Sequence, residues 1–151
     1  MGLKDEAEDL ALAIRVGLES VAAAVAWADA QLAACDQPPH ALIEISLAAE
    51  SSWRDVVQLL RTVPGFSDEP SAVHRLMARL TEALDQRHAE ADRIPDILVA
   101  MEREQLLGRD AAQVLSNYET ACALADAGYL PWEEVELDVR AVLQLCAQAD
   151  H

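Results

Sequence analysis

Glycine, proline and aromatic side chains are scarce in this 151-residue sequence, with five Gly, six Pro and 4% Phe, Trp and Tyr together. Five glycines leave little material for a phosphate cradle. No P-loop, dinucleotide-type glycine pattern, Gly-x-Ser-x-Gly or His-Glu-x-x-His is present. An Asp-rich calcium loop with its glycine is also missing. Carboxylate pairs occur, such as Glu133-Glu134 and Glu102 with Glu104. Glycoside chemistry needs such acids across a cleft, usually with aromatic platforms, and aromatics are few. Three cysteines, Cys35, Cys122 and Cys146, are an odd number without a close pair. That is a poor disulfide framework, and free thiols in a reducing cytoplasm are expected. The longest apolar region, Val21 to Ala28, stops at Asp29, too short to cross a membrane. The acidic opening MGLKDEAEDL lacks the basic-then-apolar order of a secretory signal, and Glu6 breaks the myristoylation pattern. Positive charge is the largest deficit: 11 Lys and Arg stand against 27 Asp and Glu, a net charge of -16. Such a field repels nucleic acid and anionic membrane and attracts cationic partners.

What is abundant is helix-forming. Apolar residues make up 52%, with 29 Ala and 21 Leu, so an all-α chain is expected. The length fits one helical domain over residues 1–151. The punctuation predicts a compact bundle of seven or eight helices. The first runs from Lys4 to Val16, with acids in its opening turns, and weakens at Gly17; one continuous helix through Gly17 is the alternative. Ser20 can cap a second, Val21 to Cys35, with Val21, Val25, Ala28, Leu32 and Cys35 as its core stripe. Pro38-Pro39 introduces a third, His40 to Ala49, apolar on nearly every side and therefore central. A fourth spans Trp53 to Val63 and closes at Pro64-Gly65. Ser67 with Pro70 starts a long fifth, striped by Val73, Leu76, Met77, Leu80 and Leu84. A sixth runs from Ile94 to Leu107, with Gly108 as its C-terminal cap. A seventh covers Asp110 to Ala127, with Val114, Leu115, Tyr118, Cys122 and Ala125 inward. Pro131 opens an eighth, Trp132 to Ala149, with Val135, Val139, Val142 and Cys146 inward.

Charge is uneven along the chain. Val16 to Trp53 holds five acids and no Lys or Arg. From Arg54 to Arg109 eight Arg offset ten acids. Asp110 to Val139 holds seven acids and no base. Such runs form either solvated faces or a docking face whose self-repulsion a cationic partner relieves.

Candidate chemistry is sparse. His88 has Asp85 three residues before and Asp92 four after, so the three can share a helical face and hold a metal if another helix adds ligands. A helix-end histidine near acids is the simpler reading, and no cofactor is expected. His74 reads as a core-edge histidine, and Cys122 and Cys146 as small buried hydrophobes. Glu44 lies amid Leu and Ile, paired inside, for instance to an indole N–H, or exposed as a contact. The turn Gly128-Tyr129-Leu130-Pro131-Trp132-Glu133-Glu134 sets two aromatics beside acids. Trp132 can staple the turn to the bundle, and Tyr with Trp inside a charged rim is also the composition of an interface hot spot.

Trp27-Ala28-Asp29, Asp36-Gln37-Pro38-Pro39 and Leu42-Ile43-Glu44-Ile45-Ser46-Leu47, within residues 20–63, resemble small acidic all-helical bacterial proteins, some of them of toxin-immunity type. No active-site residues come with the resemblance. A strongly acidic, single-domain helical chain with no catalytic kit is expected to be a binding protein, an immunity- or antitoxin-like inhibitor of a cationic effector such as a nuclease toxin. The expected contact residues are Asp126, Tyr129, Trp132, Glu133, Glu134, Glu136 and Asp138. The expected partner is a basic protein, with no direct nucleic-acid or membrane binding, and the chain itself a cytoplasmic monomer. A secretion chaperone or adaptor, or a small metal-dependent enzyme, is the alternative.

Overall fold

Alanine- and leucine-rich segments cut by glycine and proline fold as eight helices, with no strand among the described residues. The computed structural model describes residues 2–86 and 93–148, with the backbone alone for Trp132 and residues 147 and 148. The helices are α1 (Leu3–Arg15), α2 (Val21–Ala34), α3 (His40–Ser46), α4 (Trp53–Arg61), α5 (Glu69–Asp85), α6 (Ile94–Arg103), α7 (Arg109–Asp126) and α8 (Trp132–Gln148). The expected all-α class is what forms. The chain divides into two compact units, residues 1–72 and 73–151.

In the first unit α1 packs on α4, α2 on α3, and α3 also on α4. Alanines form the core faces of α1 and α2 (Ala7, Ala11, Ala24, Ala28), while Leu42, Ile45, Val56 and Leu60 supply bulk from α3 and α4. Small side chains bring helix axes close, and the larger ones fill what remains. Each buried Leu or Ile contributes about 1.5–3 kcal/mol. Polar ties join the helices. The Trp27 indole N–H donates to Glu6 at 3.1 Å, and Lys4 Nζ donates to the Arg61 carbonyl at 2.6 Å, capping the end of α4. Arg15 pairs with Glu69 at 2.9 Å.

Gly17 ends α1 at φ +81°, with Leu18 N–H bonded to the Ala13 carbonyl and Gly17 N–H to that of Ile14. This is a Schellman closure, and it excludes a continuous helix through Gly17. Gly65 sits at φ +126°, where an added Cβ would lie 2.8 Å from Lys4 Cβ.

Two expectations fail in this unit. On α2 only Ala24 and Ala28 are buried; Val21, Val25 and Leu32 are half-buried and Cys35 is exposed. The helix is apolar on all sides, so periodicity encoded no stripe. α3 is not central: Leu42 and Ile45 point inward, but Ile43 is 40% and Leu47 81% exposed. A seven-residue helix packed on α2 and α4 keeps an open side. Glu44 is exposed and pairs with His40 Nε2 at 3.2 Å, while the indole takes Glu6.

In the second unit α6 packs on α7, and α7 along α8. The expected stripes supply much of the core: Leu76, Met77 and Leu80 of α5, Ile97, Leu98 and Met101 of α6, Leu115 and Tyr118 of α7, and Val135, Val139 and Val142 of α8. Val73, Leu84, Val114 and Cys122 are half-buried, and His74 is exposed rather than at the core edge. α6 stops at Arg103, four residues before Leu107. Gln105 takes the left-handed position at φ 59°, and Gly108 becomes the N-cap of α7.

Candidate binding site at the α7–α8 turn

The turn between α7 and α8 is built by backbone geometry. Gly128 lies at φ +83°, its N–H bonded to the Ala125 carbonyl at 3.0 Å. Tyr129 N–H bonds to the Leu124 carbonyl at 2.9 Å. This Schellman pair satisfies the last carbonyls of α7 and fixes the direction of the following chain. Pro131, whose φ is locked, precedes α8, and Glu134 N–H bonds its carbonyl at 3.2 Å. Glu133 and Glu134 occupy the first turn of α8, where the helix dipole favours anions.

Four of the seven expected contact residues meet here. Asp126 ends α7, Tyr129 lies in the turn, and Glu133 and Glu134 open α8; all are exposed, Tyr129 by 81%. The side chain of Trp132 lies outside the described residues. The other two acids lie one turn further along α8, Glu136 three residues from Glu133 and Asp138 four from Glu134. Glu136 and Asp138 are two residues apart, which on a helix turns them to opposite flanks, about 160° from each other. Glu136 pairs with Arg140 at 3.3 Å, so it is not an uncompensated charge, and Asp138 is half-buried. Asp126, Glu133, Glu134 and Asp138 make no ion pair among the described residues. Sequence reasoning passed over Leu137 and Leu124, which are 63% and 43% exposed. Leu137 falls between Glu133 and Glu134 on the outward side of α8, opposite Val135, Val139 and Val142; that offset is its signal in the sequence.

Cys146 of α8 and Tyr118 of α7 are held protonated. Burial pushes the Cys146 thiol up to about 11. The Tyr118 phenol is raised by burial first, then by its hydrogen bond with Cys122. Neither has the lowered pKa of a nucleophile or general base near neutrality. The Asp85–His88–Asp92 grouping lies largely outside the described residues, which exclude His88 and Asp92. Asp85 itself is taken by Arg140, whose guanidinium donates to it at 2.7 Å. Hydrogen bonding to Asp85 raises the Arg140 pKa further above its usual value. No group of three His, Cys, Asp or Glu able to hold a metal occurs among the described residues. No described helix is long and apolar enough to cross a membrane.

No family model, curated protein or solved structure matches the chain.

Proposed function

We propose that this chain is a protein-binding inhibitor of immunity or antitoxin type that docks on a cationic effector through the α7–α8 turn. The observation that carries the reading is Tyr129: an aromatic ring 81% exposed, set on a hydrogen-bonded turn and flanked by Asp126, Glu133 and Glu134. A large exposed aromatic on a fixed backbone is the kind of anchor that dominates interface energetics. The surrounding carboxylates steer a basic partner and suppress acidic ones. The net charge of -16 acts at longer range in the same direction. The mechanism is occlusion: the acids occupy the effector's basic substrate groove, and Tyr129 desolvates against it.

The test is capture from lysate of the source cell on immobilised full-length protein, at low and high salt, beside a variant with Asp126→Asn, Glu133→Gln, Glu134→Gln and Tyr129→Ser. One stoichiometric basic protein, lost at high salt and lost with the variant, supports the reading, provided its purified activity falls when the wild-type chain is added. A partner that the variant captures equally well removes the turn from the interface. Apolar clients held regardless of salt point instead to a chaperone, a reading favoured by the exposed Leu47 and Phe66, 81% and 88% accessible.

A further inference from the structure

A second exposed feature belongs to residues 1–72 and lies on α3, the helix left open on one side. Leu47 N–H bonds to the Ile43 carbonyl at 3.2 Å, so the helical turn continues past Ser46 and sets Leu47 one turn along from Ile43. The two form an exposed apolar ridge that faces away from the buried Ala41, Leu42 and Ile45. At about 100° per residue, Ser46 stands about 60° to one side of Ile43, and Glu44 about 60° beyond Leu47 on the other. Ser46 donates its hydroxyl to Asp29 of α2, and Glu44 is exposed. A carboxylate therefore borders the ridge on each flank. Ala26 and Ala33, three residues before Asp29 and four after it, share its side of α2 and are exposed. Their small side chains let another helix approach beside the ridge.

The flanking charge selects the occupant. From Val16 to Trp53 the chain has five acids and no Lys or Arg. Asp29 is in no ion pair among the described residues, and the ion partner of Glu44 there is the exposed His40, at 3.2 Å. A second copy of the chain brings the same carboxylates to a like-charged face, and an anionic membrane meets the same repulsion. Strand addition needs an open sheet edge, and the described residues contain no strand. A partner helix with an apolar stripe and Lys or Arg beside it satisfies both features at once. Its stripe covers Ile43 and Leu47, and its cations reach the two carboxylates.

We infer that the Ile43–Leu47 ridge, between Asp29 and Glu44, docks a basic amphipathic helix of a partner protein. The inference does not rest on the α7–α8 turn. A two-dimensional NMR titration of the full chain at low and high salt tests it. The probe is a peptide of Leu and Lys, about 18 residues long so that it is helical, with Leu at i, i+3, i+4 and i+7. One control has the same composition scrambled to remove the helical period, and another has Glu in place of Lys. The periodic Lys peptide is expected to shift the amides of Asp29, Ala33, Ile43 and Leu47. It is expected to bind about tenfold or more tighter than the scrambled peptide, with the Glu peptide not binding. Leu47→Ser, at a site already exposed, is expected to keep the fold and weaken binding by about tenfold. Asp29→Asn with Glu44→Gln is expected to weaken it by about fivefold at low salt and by little at high salt. Should that pair disturb the fold by circular dichroism, Leu47→Ser still decides. Equal binding of the scrambled peptide, unchanged affinity in Leu47→Ser, or no shifts at the α2–α3 amides would each overturn the inference. Shifts confined to the α7–α8 turn would overturn it while leaving that site standing. A dimer in sedimentation that Leu47→Ser abolishes would give the ridge to a second copy and overturn it as well.

Discussion

At Gly65 one missing methyl group decides a contact between distant parts of the chain. Its φ of +126° disfavours any side chain, and a Cβ there would stand 2.8 Å from Lys4 Cβ, a backbone-proximal atom with little freedom to move. Gly65→Ala is expected to destabilise the protein by about 1–3 kcal/mol, read as a lower denaturant midpoint with unchanged slope. The sequence shows Gly65 as a helix stop after Pro64; the approach of Lys4 is a tertiary fact that no local pattern carries. Cys146 is the opposite case. Its inward position is legible from the spacing of Val135, Val139 and Val142, and the thiol is buried with a pKa near 11 against an ordinary 9.0. Because the folded pKa is the higher one, the unfolded chain ionises first as pH rises. The stabilisation is full below pH 9 and is lost between pH 9 and 11. Stability is expected to fall by about 2 kcal/mol across that window on account of this thiol, and Cys146→Ala to flatten that part of the slope in urea melts at successive pH values. Tyr118 adds to the same downward trend.

Helix ends show how far element-level reading goes. Gly17 and Gly128 stand where the sequence invites a stop, and both adopt the left-handed position of a Schellman closure. At α6 the same logic points to Gly108, yet the helix ends at Arg103 and Gln105 takes the left-handed position at φ 59°. The cause lies in packing. Ile94, Ile97, Leu98 and Met101 are buried, and after Met101 come Glu102, Arg103, Glu104 and Gln105, which have no face to bury. Gly108 is then free to start α7. A non-glycine residue in this conformation stores about 1 kcal/mol. Gln105→Gly is expected to stabilise the protein by about 0.5 kcal/mol after the added unfolded-state entropy, and Gln105→Val to destabilise it, both measurable by thermal melts. α2 marks the limit of periodicity. A helix apolar on every side can bury any of them, and the neighbours' shapes select Ala24 and Ala28 over Val25. The candidate site divides the same way. Tyr129 and its neighbouring acids were legible because chain proximity holds them at one turn. Glu136 lies one turn on from Glu133 and Asp138 one turn on from Glu134, and what the acidic run does not show is Arg140, just beyond it, which pairs with Glu136.

Across the whole molecule the acidity is shared equally. Residues 1–72 carry 12 acids and four Lys or Arg, and residues 73–151 carry 15 acids and seven Arg, so each unit has a net charge of -8. Neither unit is the neutral scaffold for the other, and a long-range attractive field toward cations follows from both. Field and contact make separable contributions to binding. Charge acts mainly on encounter, and a desolvated ring acts mainly on residence. The measurement that most directly tests docking of a basic partner at the α7–α8 turn is the association and dissociation kinetics of the captured protein, by stopped flow, across ionic strength. The account predicts a wild-type association rate that falls steeply with salt. Asp126→Asn with Glu133→Gln and Glu134→Gln should lower that rate by about tenfold at low salt and flatten its salt dependence. Tyr129→Ser should leave association nearly unchanged and raise dissociation by about thirtyfold, a loss of about 2 kcal/mol. Salt-independent association, with both variants behaving as wild type, would contradict it.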